Sequence, residues 1–272
     1  MTIKVAIAGI NGKMGRASAP AIVADPELSL VGAFGKSDAA YVGTDIGDLV
    51  LGKSLGVKVS RDLEDCLAGA AGKPDVLLEF TVAPSALEHA RICLSKGVRP
   101  LIGTSGLVAA DFERLSSWVD EAGLGAMVVP NFSVGAVLMM EFARQAGKHF
   151  GHVEVIEMHG TKKVDAPSGT AMYTTRKLAE AAEGRTYNPR EVQDHELLTG
   201  CRGGVTETGV RVHSLRLPGL ISHQDVIFGG DGELLSIRHD SFNTNCFLKG
   251  ILMSIKATRE MKGLTVGLES LL

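Results

Sequence analysis

The stretch that decides the fold reads Ile3-Lys4-Val5-Ala6-Ile7-Ala8-Gly9-Ile10-Asn11-Gly12-Lys13-Met14-Gly15-Arg16. Its first half, Ile3–Ala8, is an apolar run of strand length, and a helical pattern follows from about residue 14 to residue 24. Asp25-Pro26 ends this pattern, after which Leu28–Phe34 is again strand-like. The order strand, helix, strand predicts a βαβ unit with glycines at its first turn, which is typical of dinucleotide-binding sheets.

The glycines of this turn follow the spacing G-x-x-G-x-x-G, close to the more familiar G-x-G-x-x-G. Gly9 and Gly12 would allow a tight turn and the close approach of a pyrophosphate, and Gly15 would let the helix lie on the strand. The flanking strand, helix and second strand give the pattern its specificity. The predicted cofactor-binding residues of the turn are Gly9, Asn11, Gly12, Lys13, Met14 and Gly15.

The end of the second strand indicates which cofactor binds. Sites for NAD usually have Asp or Glu there to hold the ribose 2′-hydroxyl, but this chain has Phe34-Gly35-Lys36-Ser37 and no carboxylate before Asp38. Lys36 supplies a cation and Ser37 a hydrogen-bond donor, and both suit a 2′-phosphate. The sequence therefore predicts that NADPH is preferred and that NADH is possible; alternatively, Lys36 is a solvated loop lysine.

Three more strand-like runs end in polar or glycine-containing loops, where open parallel sheets bind their ligands. Each loop can also be read as a plain strand-to-helix turn. The candidate cofactor-binding residues in these loops are Phe80 and Thr81, then Gly103, Thr104 and Ser105, and finally Pro130, Asn131 and Phe132.

The second half of the chain contains the most informative run, which extends from Glu157 to Ala171. An apolar strand over residues 153–156 leads into a loop that carries His159 and Lys163, and Ser168-Gly169-Thr170 then opens a helix. Free N–H groups at a helix start, together with the helix dipole, form an anion site. An imidazole, an ammonium group and such a site suit a carboxylated substrate that must gain a proton. The alternative is a capped helix with two solvated basic side chains.

This run closely resembles the signature E-x-H-H-x-x-K-x-D-A-P-S-G-T-A of the 4-hydroxy-tetrahydrodipicolinate (dihydrodipicolinate) reductases of lysine and diaminopimelate synthesis. Glu157, His159, Lys163 and residues 165–171 match, whereas Gly160 replaces the second histidine. The resemblance extends from Val5 to the C-terminus. It includes a G-T-S-G turn similar to the family's G-T-T-G and an N-F-S-V-G segment similar to the family's A-N-F-S-V-G.

The resemblance implies NAD(P)H-dependent reduction of 4-hydroxy-tetrahydrodipicolinate, with His159 and Lys163 as the acid–base pair. It also implies that Lys163, Ser168, Gly169 and Thr170 bind the dicarboxylate substrate. Because of Gly160, a related reductase of a different cyclic imine or keto acid stays open, as does a non-catalytic nucleotide-binding homologue. Thr161 or Lys162 could compensate for the missing imidazole, and we interpret Arg216 and Arg238 as solvated cations outside the site.

The expected fold is α/β, with an N-terminal Rossmann-like dinucleotide-binding domain and a C-terminal α+β domain with a mixed sheet. Period-2 alternation and a glycine-rich hairpin turn at residues 229–232 indicate that mixed sheet. A helix is predicted over residues 245–262, and the resemblance implies that it returns to the first domain. The expected domains are 1–131 with 243–272 for the cofactor, and 132–242 for substrate binding and oligomerisation. The resemblance further implies a homotetramer.

Composition narrows the class of protein. The chain has 272 residues, of which 45% are hydrophobic and 22% charged, and a net charge of −3 gives no reason to expect nucleic acid or a membrane as partner. No apolar run reaches the ~20 residues needed to span a bilayer, and no secretory leader is recognisable. The scattered cysteines predict free thiols, and we expect no metal and a cytoplasmic location.

Overall fold

The computed structural model of the chain describes residues 2–189, 192 and 195–272. They divide into two compact units, which are unit 1 (Met1–Ser133 with Phe247–Leu272) and unit 2 (Val134–Cys246). The described strands are β1 (Ile3–Ala8), β2 (Leu28–Phe34), β3 (Val59–Ser60), β4 (Val76–Glu79), β5 (Arg99–Ile102), β6 (Gly125–Val128), β7 (His152–His159), β8 (Gly204–Val205), β9 (Arg211–Arg216), β10 (Ser222–Gly230), β11 (Glu233–Ser241) and β12 (Gly263–Val266). The described α-helices are α1 (Lys13–Ala24), α2 (Ile46–Val50), α3 (Leu63–Leu67), α4 (Ala83–Ser95), α5 (Ala109–Ala122), α6 (Val134–Gly147), α7 (Gly169–Ala182) and α8 (Leu248–Glu260).

Unit 1 contains a seven-stranded parallel sheet in the order β12-β6-β5-β4-β1-β2-β3. The strands β1, β2, β4, β5 and β6 are short and almost wholly buried, as expected when helices cover both faces of a parallel sheet. The chain builds outward from β1 through β2 to β3 and then crosses back to β4 on the other side of β1. In such sheets ligands bind in the crevice at the carboxyl ends of the strands, at this reversal of strand order.

Local sequence explains the turn between β1 and α1. Gly9 has φ of +80°, a left-handed conformation that favours glycine. A Cβ at Gly15 would lie 2.7 Å from Ile10 Cα and 2.8 Å from Ile10 O. Residue 15 must therefore be glycine for α1 to lie this close to the turn, and the expected βαβ unit is confirmed.

Unit 2 contains a five-stranded mixed sheet in the order β11-β10-β7-β9-β8. β7 and β9 are parallel, and the other pairs are antiparallel. Val155, Val226 and Phe228 are buried on one face of this sheet, together with Leu178 of α7. A hydrogen bond of 2.7 Å from Gln224 Nε2 to Thr174 Oγ1 ties β10 to α7. The expected α/β fold with a second, mixed sheet is confirmed.

The end of the chain differs from the single helix predicted over residues 245–262. A 3-10 helix at Thr244–Phe247 precedes α8, which ends at Glu260, and β12 then pairs in parallel with β6. α8 packs against α1, β5 and β6, with Ile251 and Ile255 buried. Among the described residues, no helix is both long and apolar enough to cross a membrane.

Candidate active site

The loops that follow β1, β4, β5 and β6 meet at one edge of the parallel sheet. Gly9 N donates to Phe34 O at 2.9 Å, and a Cβ at Gly9 would lie 2.9 Å from Phe80 O. Gly103 lies between the rings of Phe80 and Phe132, because its Cβ would be 2.5 Å from the first ring and 2.6 Å from the second. The two rings make an edge-to-face contact with centroids 6.0 Å apart. The structure thus brings together at least one predicted cofactor-binding residue from each of these four loops.

The glycine turn leaves the first turn of α1 without a side-chain cap. Gly12 is the N-cap, and Lys13 is the first residue of the helix. Arg16 Nε donates to Asn11 Oδ1 at 2.9 Å, and Arg16 Nη1 donates to Leu49 O at 3.0 Å, so the guanidinium braces the turn. Met14 also lies in this first helical turn. Backbone N–H groups at an uncapped helix start, beside glycines that admit close approach, fit the pyrophosphate of a dinucleotide.

Glu79, at the carboxyl end of β4, is buried and organises the next loop. Its Oε1 accepts from Thr81 N at 2.6 Å, and its Oε2 lies 2.7 Å from His89 Nδ1. The side chain of His89 is only 18% exposed and contacts Phe34 edge to face. Thr81 Oγ1 is buried and has no hydrogen-bond partner among the described residues. A hydroxyl of this kind at a strand end fits a bound polar group.

The remaining cofactor candidates lie at the same strand ends. Thr104 Oγ1 contacts Glu79 O at 3.4 Å, and Asn131 Oδ1 accepts from Ser133 N at 2.9 Å, whereas Ser105 and Pro130 are exposed. Lys36 and Ser37 follow β2 and have exposed side chains.

The predicted catalytic residues lie in unit 2, around the carboxyl end of β7. His159 is the last residue of β7, rather than part of the following loop as predicted, because β7 extends three residues beyond the expected end at residue 156. Lys163 N donates to Gly160 O at 3.1 Å, which closes a tight turn, and Lys163 Nζ pairs with the Asp165 carboxylate at 2.8 and 2.9 Å. Ser168 caps α7 by accepting from Ala171 N at 3.2 Å, and Gly169 and Thr170 are the first residues of that helix.

A buried carboxylate joins these groups. Glu157 Oε2 lies 2.6 Å from His159 Nδ1, and Glu157 Oε1 accepts from Ser168 N at 3.3 Å. Arg216 donates to both carboxylate oxygens, at 2.7 and 3.0 Å, and also to Asp165 O at 2.7 Å. Arg216 is therefore not the solvated cation that we expected from sequence. The strand β9, read in register beside β7, places it next to His159.

Electrostatics at this cluster follow from burial and pairing. Burial alone would raise the pKa of the Glu157 carboxyl, but hydrogen bonds from Arg216, Ser214 and His159 outweigh burial and lower that pKa. Burial lowers the pKa of His159, the contact with Glu157 raises it, and the charges of Lys163 and Arg216 lower it; the net pKa is below its ordinary value. The pKa of Asp165 is lowered, mainly by its hydrogen bond from Lys163.

Comparison with known proteins identifies the family. Residues 3–132 match the family model described as dihydrodipicolinate reductase, N-terminus, and residues 135–272 match the model described as dihydrodipicolinate reductase, C-terminus. The chain belongs to the dihydrodipicolinate reductase family. It is 42% identical to the 4-hydroxy-tetrahydrodipicolinate reductase of Synechococcus elongatus, over 99% of this chain and 98% of that one. The corresponding enzyme of Thermosynechococcus vestitus is also 42% identical, over 99% and 97% of the two chains.

Solved structures agree with this assignment. A dipicolinate-bound dihydrodipicolinate reductase from Paenisporosarcina sp. TG-14 is similar over the whole of both chains, with a TM-score of 0.87 and 39% identity. An amine dehydrogenase from Mycobacterium smegmatis has a TM-score of 0.70 at 16% identity, over 99% of this chain and 96% of that one, which shows the fold alone. This member of the dihydrodipicolinate reductase family is an oxidoreductase of the nicotinamide-dependent class, and its family acts in lysine and diaminopimelate biosynthesis.

The sequence predicts no role for two residues of this cluster, Glu157 and Arg216. Glu157 belongs to the signature, and its period-2 spacing from His159 places both side chains on one face of β7. Arg216 carried no signal, because only strand register shows which residue lies opposite it. Within the described ranges, no group of three or more His, Cys, Asp or Glu residues could hold a metal ion.

Proposed function

We propose that this protein reduces 4-hydroxy-tetrahydrodipicolinate to tetrahydrodipicolinate with a nicotinamide cofactor. The observation that carries the proposal is the cluster around Glu157. A single carboxylate contacts both His159 and the N-cap of α7, and Arg216 ties the same carboxylate to the loop of Lys163. An imidazole, an ammonium group and an anion-binding helix start are thereby held together in a member of this reductase family.

Each unit has its own proposed binding role. Unit 1 (residues 1–133 and 247–272) binds the dinucleotide, and unit 2 (residues 134–246) binds the dicarboxylate substrate. The proposed cofactor-binding residues are Gly9, Asn11, Gly12, Lys13, Met14, Gly15, Lys36, Ser37, Phe80, Thr81, Gly103, Thr104, Ser105, Pro130, Asn131 and Phe132. The proposed substrate-binding residues are Lys163, Ser168, Gly169 and Thr170.

The chemistry of the reaction assigns the roles. The nicotinamide, when bound, supplies the hydride, and the 4-hydroxyl group is lost as water, so the protein must bind and orient the substrate and supply the proton. His159 can donate a proton because imidazole titrates near neutrality. Lys163 supplies a positive charge beside it, and the start of α7 binds a carboxylate through its N–H groups and dipole.

The test is oxidation of NADPH and NADH with substrate generated in situ from pyruvate and aspartate semialdehyde by the preceding synthase. We expect turnover by the wild type and its loss in His159→Gln and Lys163→Met. His213→Gln is the matched control, because His213 is a carboxylate-bound histidine in the same sheet, 2.7 Å from Glu154. Equal loss in all three variants would contradict the assigned roles.

The absence of the second histidine motivates one alternative, a reductase of another cyclic imine or keto acid. The side chains of Thr161 and Lys162 are exposed, and a Cβ at Gly160 would lie 3.0 Å from Leu220 O. Cofactor binding without oxidation of the expected substrate would favour this alternative, and turnover of a second imine would establish it.

We further propose that NADPH is preferred to NADH. The exposed Lys36 and Ser37 follow β2 at the strand end where the adenosine ribose of a dinucleotide binds, and no carboxylate precedes Asp38. We expect Lys36→Ala to raise the KM for NADPH while leaving that for NADH unchanged. Lys262→Ala is the control, because this exposed lysine precedes the amino end of β12, at the opposite edge of the sheet. An unchanged preference in Lys36→Ala would contradict the proposal.

Finally, we propose a cytoplasmic homotetramer. α6 packs against β10 and β11, and α7 is hydrogen-bonded to β10 on the same face through Thr174 and Gln224. On the other face Ile156, Ile227 and Leu234 line a cavity, with Leu234 77% exposed. Exposed apolar side chains on a sheet face favour burial against another subunit. We expect sedimentation equilibrium to give four times the chain mass, and Leu234→Asp to dissociate the assembly. A monomeric wild type would contradict the proposal.

A further inference from the structure

The Glu157 carboxylate is fully buried and is bound from three separate segments of unit 2. β7 contributes His159 Nδ1 at 2.6 Å, β9 contributes two nitrogens of Arg216 at 2.7 and 3.0 Å, and the start of α7 contributes Ser168 N at 3.3 Å. A buried charge persists only when it is paired and hydrogen-bonded. Arg216 supplies the neutralising charge, which leaves the carboxylate ionised beside the imidazole.

Strand register explains how the cluster forms. Glu157 and His159 are two residues apart on β7 and so face the same side of the sheet. β9 runs parallel to β7, with Ser214 opposite Glu157 and Arg216 opposite His159. The Arg216 guanidinium therefore extends toward the pair of Glu157 and Ser214, where it binds the carboxylate that the His159 imidazole also contacts.

An ionised carboxylate can only accept hydrogen bonds, so the short contact requires that His159 Nδ1 carries a proton. Nε2 is then the ring nitrogen that exchanges a proton during a reaction. The charged groups that face this imidazole are Glu157 on its own strand, Arg216 on β9, and Lys163 with its partner Asp165 in the following loop. Its neighbour on β10, Ser222, does not titrate in this range.

We infer that Glu157 is a positioning residue for proton transfer: it fixes the tautomer of His159, and with Arg216 it sets the pH range in which His159 gives a proton. The inference rests on the proposed function for its catalytic part. Its structural part concerns the ring of His159 alone and can be measured without turnover.

The first experiment is ¹⁵N NMR of the histidine rings in the wild type, Glu157→Gln and Glu154→Gln. Glu154 is the matched control, because it is on the same strand but the opposite face, and it binds His213 and Arg202, each at 2.7 Å. We expect a protonated Nδ1 on His159 in the wild type and in Glu154→Gln. In Glu157→Gln we expect mixed tautomers and a His159 pKa lower by about 1 unit, the usual effect of losing an adjacent opposite charge.

The second experiment is the pH profile of kcat/KM for the same proteins. Because the protonated imidazole is the donor, activity falls as pH rises through the pKa of His159. We expect this alkaline limb to move down by about 1 pH unit in Glu157→Gln, a roughly tenfold loss of kcat/KM above the limb. Glu157→Asp keeps the negative charge, so its alkaline limb should return part of the way to that of the wild type. A purely structural role of Glu157 would not predict this recovery.

A variant that shifts the His159 pKa in the opposite direction keeps the inference testable if Glu157→Gln fails to fold. Arg216→Gln removes a positive charge near His159 and keeps a donor for Asp165 O, so the His159 pKa and the alkaline limb should both move up. The inference is overturned if Glu157→Gln matches Glu154→Gln in tautomer and pKa, or if Arg216→Gln moves that pKa down. A wild type that shows the expected tautomer but no oxidation would refute the proposed function and leave the role of Glu157 in the ring intact.

Discussion

Gly15→Ala tests the packing of the glycine turn and its proposed role in cofactor binding. Ordinary contact begins at 3.4 Å, and the new Cβ would meet Gly9 O and would lie 2.7 Å from Ile10 Cα, so the backbone must move by at least about 0.7 Å (3.4 − 2.7). Overpacking of this kind costs about 1–3 kcal/mol, and replacing glycine within a helix returns about 1 kcal/mol. We expect a net loss of about 1 kcal/mol in the free energy of unfolding.

The same displacement moves the N–H groups that the pyrophosphate is proposed to contact. A misplacement of about 1 Å can cost about 100-fold where geometry is critical, so we expect the Kd for NADPH to rise about tenfold or more. Isothermal titration calorimetry measures that Kd, and denaturant unfolding measures stability. Gly151→Ala is the control, because this glycine has no atom within 4 Å of its Cβ position and no positive φ.

The Kd for NADPH and the stability together distinguish two ways in which this reasoning could be wrong. Reduced stability with an unchanged Kd would mean that the turn is packed as described but does not bind the cofactor. Stability and Kd both equal to those of Gly151→Ala would refute the steric reasoning itself.

Other consequences of the structure can be tested in the same way. Ser168→Ala should lower the free energy of unfolding by about 1 kcal/mol in urea titrations, because α7 loses its N-cap to Ala171 N; an unchanged stability would contradict the cap. Hydrogen bonds from backbone N–H groups, chiefly from Leu55 N, hold the pKa of the Asp45 carboxyl at about 2, below the ordinary 3.8. The Asp45 carboxylate therefore stabilises the fold above the ordinary pKa, and this effect is lost as pH falls through about 2. The melting temperature of Asp45→Asn should therefore be lower than that of the wild type at neutral pH and approach it in acid, and a constant difference would disprove this. Gly160→His should lower the KM for the dicarboxylate at a small cost in melting temperature, because its Cβ meets Leu220 O at 3.0 Å; an unchanged KM would show that the second imidazole is not needed.

The sequence alone predicted the first unit well, because its signals are local. Gly9 and Gly15 mark a turn whose geometry requires glycine at both positions, and the buried parallel strands are continuous apolar runs. The final strand escaped detection. Gly263–Val266 is four residues long, lies at a sheet edge and becomes a strand only by pairing with β6, so no local pattern marks it.

The candidate site was predicted in part. His159, Lys163 and Ser168 belong to one continuous run, and a motif reveals them together. Arg216 lies on β9, which pairs in parallel with β7 although the two strands are far apart in the chain. No short sequence pattern predicts such a register. The same limit applies to the contact between His89 and Glu79, since the two residues belong to different elements.

Unit 1 is completed by residues that follow unit 2 in the chain, and this order matters while a ribosome is making the protein. Unit 2 comprises 113 residues (246 − 134 + 1), which take about 6–23 s to translate at roughly 5–20 residues per second. For at least that long after β6 has emerged from the ribosome, its free edge and the apolar surface that α8 will cover are both exposed on the nascent chain. The unit proposed to bind the cofactor therefore begins first and finishes last, and in those seconds it is exposed to aggregation and to chaperones.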